Sequence, residues 1–234
     1  MIKIQNHNVK EHCNCAGPGK ITATVVSLML FLSLTAAEAQ EFTADYSPIS
    51  GLIRFMESPE REAWQKPDDV ISLFGDIEGL TIMDLGSGSG YFTLRMAQKA
   101  GKVIAGDVDE RYLSYINEKL NKRENSNLRG KIELRKIPYD NPGLKEGEAD
   151  GILVVNTFHH MENRIVYFKN ALKGLKPGGI IIIVDYIKGI SFGPSDEHKI
   201  EMAEALGELK QVGFSEITTN SQMLKYQFII LCQK

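Results

Sequence analysis

The feature that most restricts the fold of this chain is a glycine-rich segment between two elements of regular structure. Residues 84–91 read Asp-Leu-Gly-Ser-Gly-Ser-Gly-Tyr, directly after a short apolar run and directly before a helix-period segment. Glycine adopts the positive φ angles that a tight strand-to-helix turn needs, and it lets backbone N–H groups come close to a ligand at the helix N-terminus. The segment therefore predicts a ligand-binding turn at the edge of a sheet.

Short β-rich runs alternate with helix-period segments along most of the chain, a pattern typical of an α/β fold with a mostly parallel sheet. The predicted strands are 81–85, 102–107, 131–135, 151–156 and 180–185. The predicted helices are 91–100, 110–121 behind Asp109 as N-cap, 163–175 and 198–212. Two further strand-like runs, 215–219 and 226–232, predict a terminal hairpin.

A second acidic residue supports a nucleoside ligand. Asp107 ends the second predicted strand about 20 residues after Gly86, where a carboxylate can accept both hydroxyls of a ribose. Tyr91 occupies the place of the third glycine in a dinucleotide fingerprint, which disfavours NAD. A lone glycine-rich turn could be a simple connection, but Asp84 and Asp107 together favour binding.

Three segments resemble the motifs of class I S-adenosylmethionine-dependent methyltransferases: residues 84–90, Asp107, and Leu-Lys-Pro-Gly-Gly at 175–179. The match extends from about Asp68 to the C-terminus. The resemblance implies a Rossmann-like, doubly wound seven-stranded sheet, mostly parallel with an antiparallel last strand. It also implies a methyltransferase with S-adenosyl-L-methionine as cofactor.

The resemblance implies specific cofactor contacts: Gly86, Ser87, Gly88 and Gly90 at the methionine part, Asp84 near its amino group, and Asp107 at the ribose. The chain departs from the family after the third strand, where many members place an acid that contacts adenine. Here the segment reads Lys-Ile-Pro-Tyr at 136–139. Apolar packing against Ile137 or contact with Asp140 are the two ways in which adenine could be held.

The loop after the fourth predicted strand carries Asn156, His159 and His160, at the sheet edge where ligands of open α/β folds bind. In the resembled family the acceptor meets the methyl group here, so these three residues are the catalytic candidates. A histidine could remove a proton from the acceptor, or it could cap the next helix. Asp185 or His198 could complete a metal site, but adjacent histidines rarely converge on one ion, so no metal is expected.

Two segments are candidates for the acceptor side of the site. Residues 61–67 contain Trp64, and the loop 192–198 follows the fifth predicted strand. The alternative is that Trp64 belongs to the core and the loop is only solvated. This combination of motifs resembles a group of bacterial methyltransferases with signal-like N-termini.

The N-terminus has the features of a secretory signal. Three lysines precede an apolar run at 21–34, and Ala-Glu-Ala at 37–39 matches a small-x-small cleavage pattern. Fourteen residues are too few to span a bilayer, so no stable membrane insertion is expected. The interpretation is a periplasmic or secreted protein, with a cytoplasmic one as the alternative.

The predicted organisation is a signal peptide (1–39), an N-terminal linker and possible lid segment (40–66) and a methyltransferase domain (67–234). Cleavage would leave Cys232 as the single thiol, which excludes disulfides and cysteine metal sites. The composition, with 43% hydrophobic and 24% charged residues, allows a full core.

The formal net charge of −3, without a run of basic residues, gives no electrostatic footprint for nucleic acid. The sequence thus predicts a methyltransferase acting on a small-molecule acceptor. A non-catalytic nucleoside-binding module is the alternative, because export would separate the protein from the compartment where the cofactor is made. An aminopropyltransferase would need a more acidic acceptor pocket than residues 156–160 offer. The pattern leaves the oligomeric state open.

Overall fold

A computed structural model of the chain describes residues 49–234. The predicted signal peptide, 1–39, and the first part of the predicted linker, 40–48, lie outside the described residues. Residues 49–66 form helices within the same compact unit as the rest of the described chain. No helix among residues 49–234 is long and apolar enough to cross a membrane.

The fold is built on a single seven-stranded sheet. Its strands are β1 (Thr81–Leu85), β2 (Lys102–Asp107), β3 (Ile132–Lys136), β4 (Ala149–Val155), β5 (Leu175–Tyr186), β6 (Glu216–Asn220) and β7 (Gln227–Gln233). Their order is β3-β2-β1-β4-β5-β7-β6. The first five strands pair in parallel, whereas β7 is antiparallel to both of its neighbours. The predicted Rossmann-like sheet and terminal hairpin are both confirmed.

Helices cover both faces of the sheet. They are α1 (Ser50–Met56), α2 (Arg61–Gln65), α3 (Pro67–Ser72), α4 (Tyr91–Lys99), α5 (Glu110–Asn121), α6 (Arg164–Gly174) and α7 (Met202–Leu209). Short 3₁₀ helices occupy Arg123–Lys131, Phe158–His160 and Asp196–His198. Helices α6 and α7 pack with Ile181 and Ile183, while α3, α4 and α5 pack with Ile182 and Val184. Alternate residues of β5 thus face two covered surfaces, which explains its unbroken apolar run.

Helix α5 begins where its sequence predicts. The Asp109 carboxylate accepts a hydrogen bond from the backbone N–H of Arg111 at 2.9 Å, which satisfies an unpaired N–H group of the first turn. The apolar face predicted for this helix is the buried one, formed by Leu113, Ile116 and Leu120.

Most predicted boundaries differ from the observed ones by no more than three residues, but two element starts are wrong by more. Strand β5 begins at Leu175 instead of 180, because Leu175 already pairs with Ala149 ahead of an irregularity in the ladder. The last helix begins at Met202 instead of 198. The buried Lys199 ammonium donates to the Ile190 carbonyl at 2.6 Å and to the Asp196 carboxylate at 2.9 Å, and this anchors the preceding segment to the loop after β5.

Candidate active site

A cavity of about 470 Å³ lies at the carboxyl ends of β1, β4 and β5, beneath helix α1. This volume falls within the range of about 300–1,000 Å³ that is usual for ligand pockets. Seven of the predicted site residues line the cavity: Asp84, Gly86, Ser87, Gly88, Asn156, His159 and His160. The other three, Gly90, Asp107 and Ile137, are not among its lining residues.

The glycine-rich turn connects β1 to α4 as predicted, and three of its residues have positive φ. The angles are +77° at Gly86, +51° at Gly88 and +77° at Gly90. A Cβ at Gly86 would collide with the side chain of Thr157. A Cβ at Gly90 would lie 2.8 Å from the side chain of Ile116 in α5. The absence of a side chain at Gly86 thus leaves space for the loop after β4, and its absence at Gly90 lets α5 pack closely against the turn.

Two serines of the turn carry unpartnered polar atoms inside the site. The hydroxyls of Ser87 and Ser89 are buried, and neither makes a hydrogen bond within the described chain. Both residues line the cavity. Buried hydroxyl groups without a partner are costly, so these two are candidates for contact with a polar ligand.

Asp84, the penultimate residue of β1, carries a buried carboxylate that lines the cavity. The Thr93 hydroxyl donates to it at 2.6 Å. Burial raises the pKa of Asp84 to about 6, and the hydrogen bond from Thr93 opposes that rise. A cation bound beside Asp84 would favour its ionised form.

Asp107 supports the turn from the neighbouring strand. Its carboxylate accepts the backbone N–H of Gly88 at 2.8 Å and that of Asp109 at 2.9 Å. Burial raises the pKa of Asp107, and these two bonds oppose the rise. An ionised carboxylate has about four acceptor positions, so Asp107 retains capacity for ligand hydroxyls.

Ile137 is buried in the core beside this position. Its backbone N–H donates to the carbonyl oxygen of Asp107 at 3.0 Å, and its side chain lies against Gly143. Tyr139 and Asp140 line a separate groove next to α6. The structure therefore separates Ile137 from the cavity, and its adenine contact stays a prediction.

Arg61 is the cation of the candidate site, and no sequence motif singled it out. Arg61 is 6% exposed, its guanidinium lies 4.1 Å from the centroid of the Tyr91 ring, and it lines the cavity. It donates to the carbonyl of Met56 at 2.7 Å and to the side chain of Gln65. Burial lowers the pKa of Arg61, and nearby Asp84 is among the groups that raise it. The sequence signal was its place in the 61–67 segment, about one helical turn before Trp64.

A buried chain of amides joins the N-terminal helices to the centre of the sheet. Gln65 donates to the side-chain oxygen of Gln227 at 2.9 Å, and Gln227 donates to the side-chain oxygen of Asn156. The amide nitrogen of Asn156 donates to the Tyr186 hydroxyl at 3.0 Å. Asn156 has a φ of +55°, a left-handed conformation that asparagine tolerates better than most residues. Its place in the cavity wall is thus held from both sides.

His159 forms a buried pair with Asp185 of β5. Its Nδ1 lies 2.8 Å from one carboxylate oxygen, and its backbone N–H donates to the other at 3.0 Å. The His159 side chain is only 3% exposed and that of Asp185 1%. An ionised carboxylate can only accept, so Nδ1 carries the proton and Nε2 is left as the basic nitrogen.

His160 lies beside this pair in a more open position. The two imidazole centroids are 4.0 Å apart. Burial, followed by the proximity of His159, lowers the pKa of His160. His160 lines the cavity, and in the described chain no carboxylate is hydrogen-bonded to its ring.

The two segments predicted for the acceptor side contact each other. Trp64 packs edge-on against Phe192 at 4.9 Å between ring centroids, and it is buried rather than part of the cavity lining. Gly193 and Pro194 of the loop line the cavity. His198 is exposed, with Nδ1 2.8 Å from the Ser195 hydroxyl. Within residues 49–234, no group of three or more histidine, cysteine, aspartate or glutamate side chains could hold a metal ion.

A family model and a solved structure that are similar to this chain are both those of methyltransferases. A family model described as a methyltransferase domain matches residues 83–183. The crystal structure of an S-adenosylmethionine-dependent methyltransferase from Aquifex aeolicus superposes with a TM-score of 0.69 at 26% identity, covering 78% of this chain and 97% of that one.

Two curated relatives match over part of their length. Phosphoethanolamine N-methyltransferase 2 of Caenorhabditis elegans is 26% identical over 174 residues, which is 69% of this chain and 39% of the relative. Demethylmenaquinone methyltransferase of Lactococcus lactis is 24% identical over 149 residues, 61% of this chain and 54% of the relative. The chain thus corresponds to about half of these relatives or less.

The fold and the turn between β1 and α4 define a Rossmann-like α/β protein with a ligand site at the carboxyl edge of its sheet. The matching family model and the Aquifex aeolicus structure support a class I S-adenosylmethionine-dependent methyltransferase, the family that the motifs of the chain resemble.

Proposed function

We propose that this protein transfers a methyl group from S-adenosylmethionine to a small-molecule acceptor. The observation that carries the proposal is the placement, around one cavity, of two kinds of residues. The glycine-rich turn, with its unpartnered serine hydroxyls, supplies polar groups suited to the cofactor, and His159 supplies a basic nitrogen suited to the acceptor.

The residues around the turn fit the cofactor. The hydroxyls of Ser87 and Ser89, together with the Arg61 guanidinium, would hold its carboxylate. Asp84 would hold its ammonium group, because a buried carboxylate is stabilised by an adjacent cation. The unused acceptor positions of Asp107 would hold the ribose hydroxyls.

When bound, the cofactor supplies a methyl group already activated by the positive charge on sulfur. The protein then has to orient an acceptor and keep its nucleophile unprotonated. His159 takes the acceptor proton on Nε2, while Asp185 keeps the imidazole in the required tautomer and stabilises the imidazolium that forms. Asn156, held by Gln227 and Tyr186, fixes the wall beside His159.

Mass spectrometry under native conditions, followed by a transfer assay, tests this function. We expect the purified protein to carry S-adenosylmethionine or S-adenosylhomocysteine, or to bind either when it is added. We also expect transfer of labelled methyl from S-adenosylmethionine to an acceptor in a small-molecule extract. Binding without transfer in extracts of the native cell would favour the non-catalytic nucleoside-binding module. A folded protein that binds neither compound would contradict both functions.

A further inference from the structure

The mouth of the cavity is apolar. Leu52 and Phe55 of α1 are 54% and 43% exposed, and both line the cavity. Large apolar side chains left open to solvent beside a cavity mark a surface that a ligand covers. Val166 of α6 is 59% exposed and does not line this cavity, so its substitution is a matched control for changes at Leu52 and Phe55.

Aromatic and aliphatic groups continue from the mouth inward. Phe92, Val155 and Tyr186 are buried and line the same cavity as His159. The Tyr186 hydroxyl accepts from Asn156, and burial raises the pKa of Tyr186 to about 12, so it stays neutral. Away from the glycine-rich turn, the cavity therefore offers mostly apolar surface around the imidazoles of His159 and His160.

The charges at the cavity do not suit an anionic acceptor. Arg61 is the single lysine or arginine among the described lining residues. Its guanidinium is stacked on Tyr91 and bonded to Gln65 and the Met56 carbonyl. A phosphate or carboxylate on the acceptor would compete with the cofactor carboxylate for this one cation, and a desolvated anion without a partner is costly.

The charges are equally unsuited to a cationic acceptor. Asp84 is the single carboxylate among the described lining residues; it is bonded to Thr93 and suited to the cofactor ammonium. Asp185 is 1% exposed and bonded to His159. A protonated amine would therefore find no free carboxylate at the described cavity wall.

We propose that the acceptor is an uncharged, apolar molecule whose nucleophile is an acidic hydroxyl on an aromatic ring, a phenol. This proposal rests on the proposed function and names its acceptor class. A phenol, with a pKa near 10, can be deprotonated by an imidazole far more readily than an alkyl alcohol. The hydroxyl proton goes to Nε2 of His159, and an oxygen electron pair forms the bond to the methyl carbon. The carbon–sulfur bond breaks with its electron pair on sulfur, which becomes a neutral thioether.

Calorimetric titration of the whole protein, saturated with S-adenosylhomocysteine, tests the acceptor class. The probes are phenol, 4-ethylphenol and 4-butylphenol, with phosphoethanolamine as the charged comparator. We expect affinity to rise by up to about fourfold for each added CH₂ group, as for burial of apolar surface. Phosphoethanolamine should bind more weakly than 4-butylphenol.

Substitutions at the mouth of the cavity test whether the alkyl group of the phenol binds there. Leu52→Ala with Phe55→Ala should weaken 4-butylphenol binding by about tenfold, since both side chains would cover the alkyl group. Val166→Ala should leave it within twofold. Affinities that do not depend on chain length, or tighter binding of phosphoethanolamine, would overturn the acceptor class.

The same experiment separates the two proposals. Failure of S-adenosylhomocysteine to bind the folded protein would remove the proposed function, and the acceptor class with it. Normal binding of S-adenosylhomocysteine with a flat phenol series would reject the acceptor class alone. Labelled methyl found on the phenolic oxygen, and lost in His159→Ala, would support both.

Discussion

His159 and the carboxylate of Asp185 are joined by two hydrogen bonds, one from the imidazole Nδ1 at 2.8 Å and one from the His159 backbone N–H at 3.0 Å. The Asp185 carboxylate also accepts the backbone N–H of Tyr186 at 2.8 Å. Three donors thus fix the carboxylate at the end of β5, and the carboxylate fixes the imidazole. Such a pair can lower the cost of forming an imidazolium during proton transfer.

His159→Ala should reduce turnover by about 10²- to 10⁴-fold, the usual contribution of a positioned general base. Affinity for S-adenosylhomocysteine should change by less than threefold, because no cofactor contact is assigned to His159. His160→Ala should have a smaller effect on turnover, since its ring has no carboxylate partner in the described chain. Steady-state kinetics with an identified acceptor, beside calorimetry, measure both quantities.

Asp185→Asn provides the matched comparison for His159. An asparagine amide can donate to Nδ1 of His159 and so favour the tautomer with its proton on Nε2. Turnover should therefore fall, and the pH dependence of turnover should shift. Wild-type turnover in both His159→Ala and Asp185→Asn would leave the pair with only a structural role.

Asp107→Ala should weaken S-adenosylhomocysteine binding by about tenfold to a hundredfold, since a charge-assisted hydrogen bond contributes roughly 1.5–3 kcal/mol. The carboxylate also accepts the Gly88 N–H, so part of the loss would come from a less ordered turn. The affinity of Asp107→Asn for S-adenosylhomocysteine should lie between those of the wild type and Asp107→Ala, because asparagine keeps one acceptor oxygen. Equal affinities in all three proteins, by calorimetry, would contradict the ribose contact.

Asp84→Asn should stabilise the empty protein at neutral pH and weaken cofactor binding. The folded-state pKa of about 6 lies above the ordinary value of 3.8, so the ionised carboxylate costs stability above pH 6, and this cost is lost below about pH 4. Replacement of Asp84 by asparagine should therefore raise the free energy of unfolding by an amount on the order of 2–3 kcal/mol at pH 7.5 and by almost nothing at pH 4. Denaturant unfolding at the two pH values measures the difference.

The exposed Glu118→Gln is the control for Asp84→Asn, because it removes an acidic charge without burial. A stabilisation of Asp84→Asn that is equal at both pH values would contradict the buried-charge account. Unchanged affinity for S-adenosylhomocysteine would contradict the ammonium contact.

Gln227→Leu should destabilise the fold by about 1–3 kcal/mol, because it leaves the Gln65 amide and the Asn156 oxygen buried without a partner. The exposed Gln222→Leu should have little effect. Hydrogen exchange should show that the backbone amides of α1 and α2 lose protection before those of the sheet do. Full protection of both helices in Gln227→Leu would mean that apolar packing alone holds them.

We propose that the chain is exported and cleaved after Ala39, since small residues at 37 and 39 follow an apolar run behind lysines. N-terminal sequencing of the protein from its native cell should begin at Gln40. An intact N-terminus in the soluble cytoplasmic fraction would contradict export and support the cytoplasmic alternative.

Local patterns predicted the elements that depend on few residues. The apolar runs of β1 and β2 and the Asp109 cap are set by side chains within one or two turns of each other, so their bounds were correct. The strand-to-helix turn was predictable because only glycine accommodates positive φ without strain. Local patterns did not predict the boundaries that depend on distant contacts, such as the contact of Lys199 with the loop after β5.

Within the candidate site, the sequence alone predicted the glycine-rich turn, the acid that ends β2 and the histidines after β4. The tertiary structure decided how these groups are partnered. Gln65 and Gln227 are 162 residues apart and meet only because the pairing of β7 with β5 sets Gln227 beside Tyr186. The burial of Arg61 and the hydrogen bond from His159 to Asp185 also depend on packing between distant elements, which no local periodicity encodes.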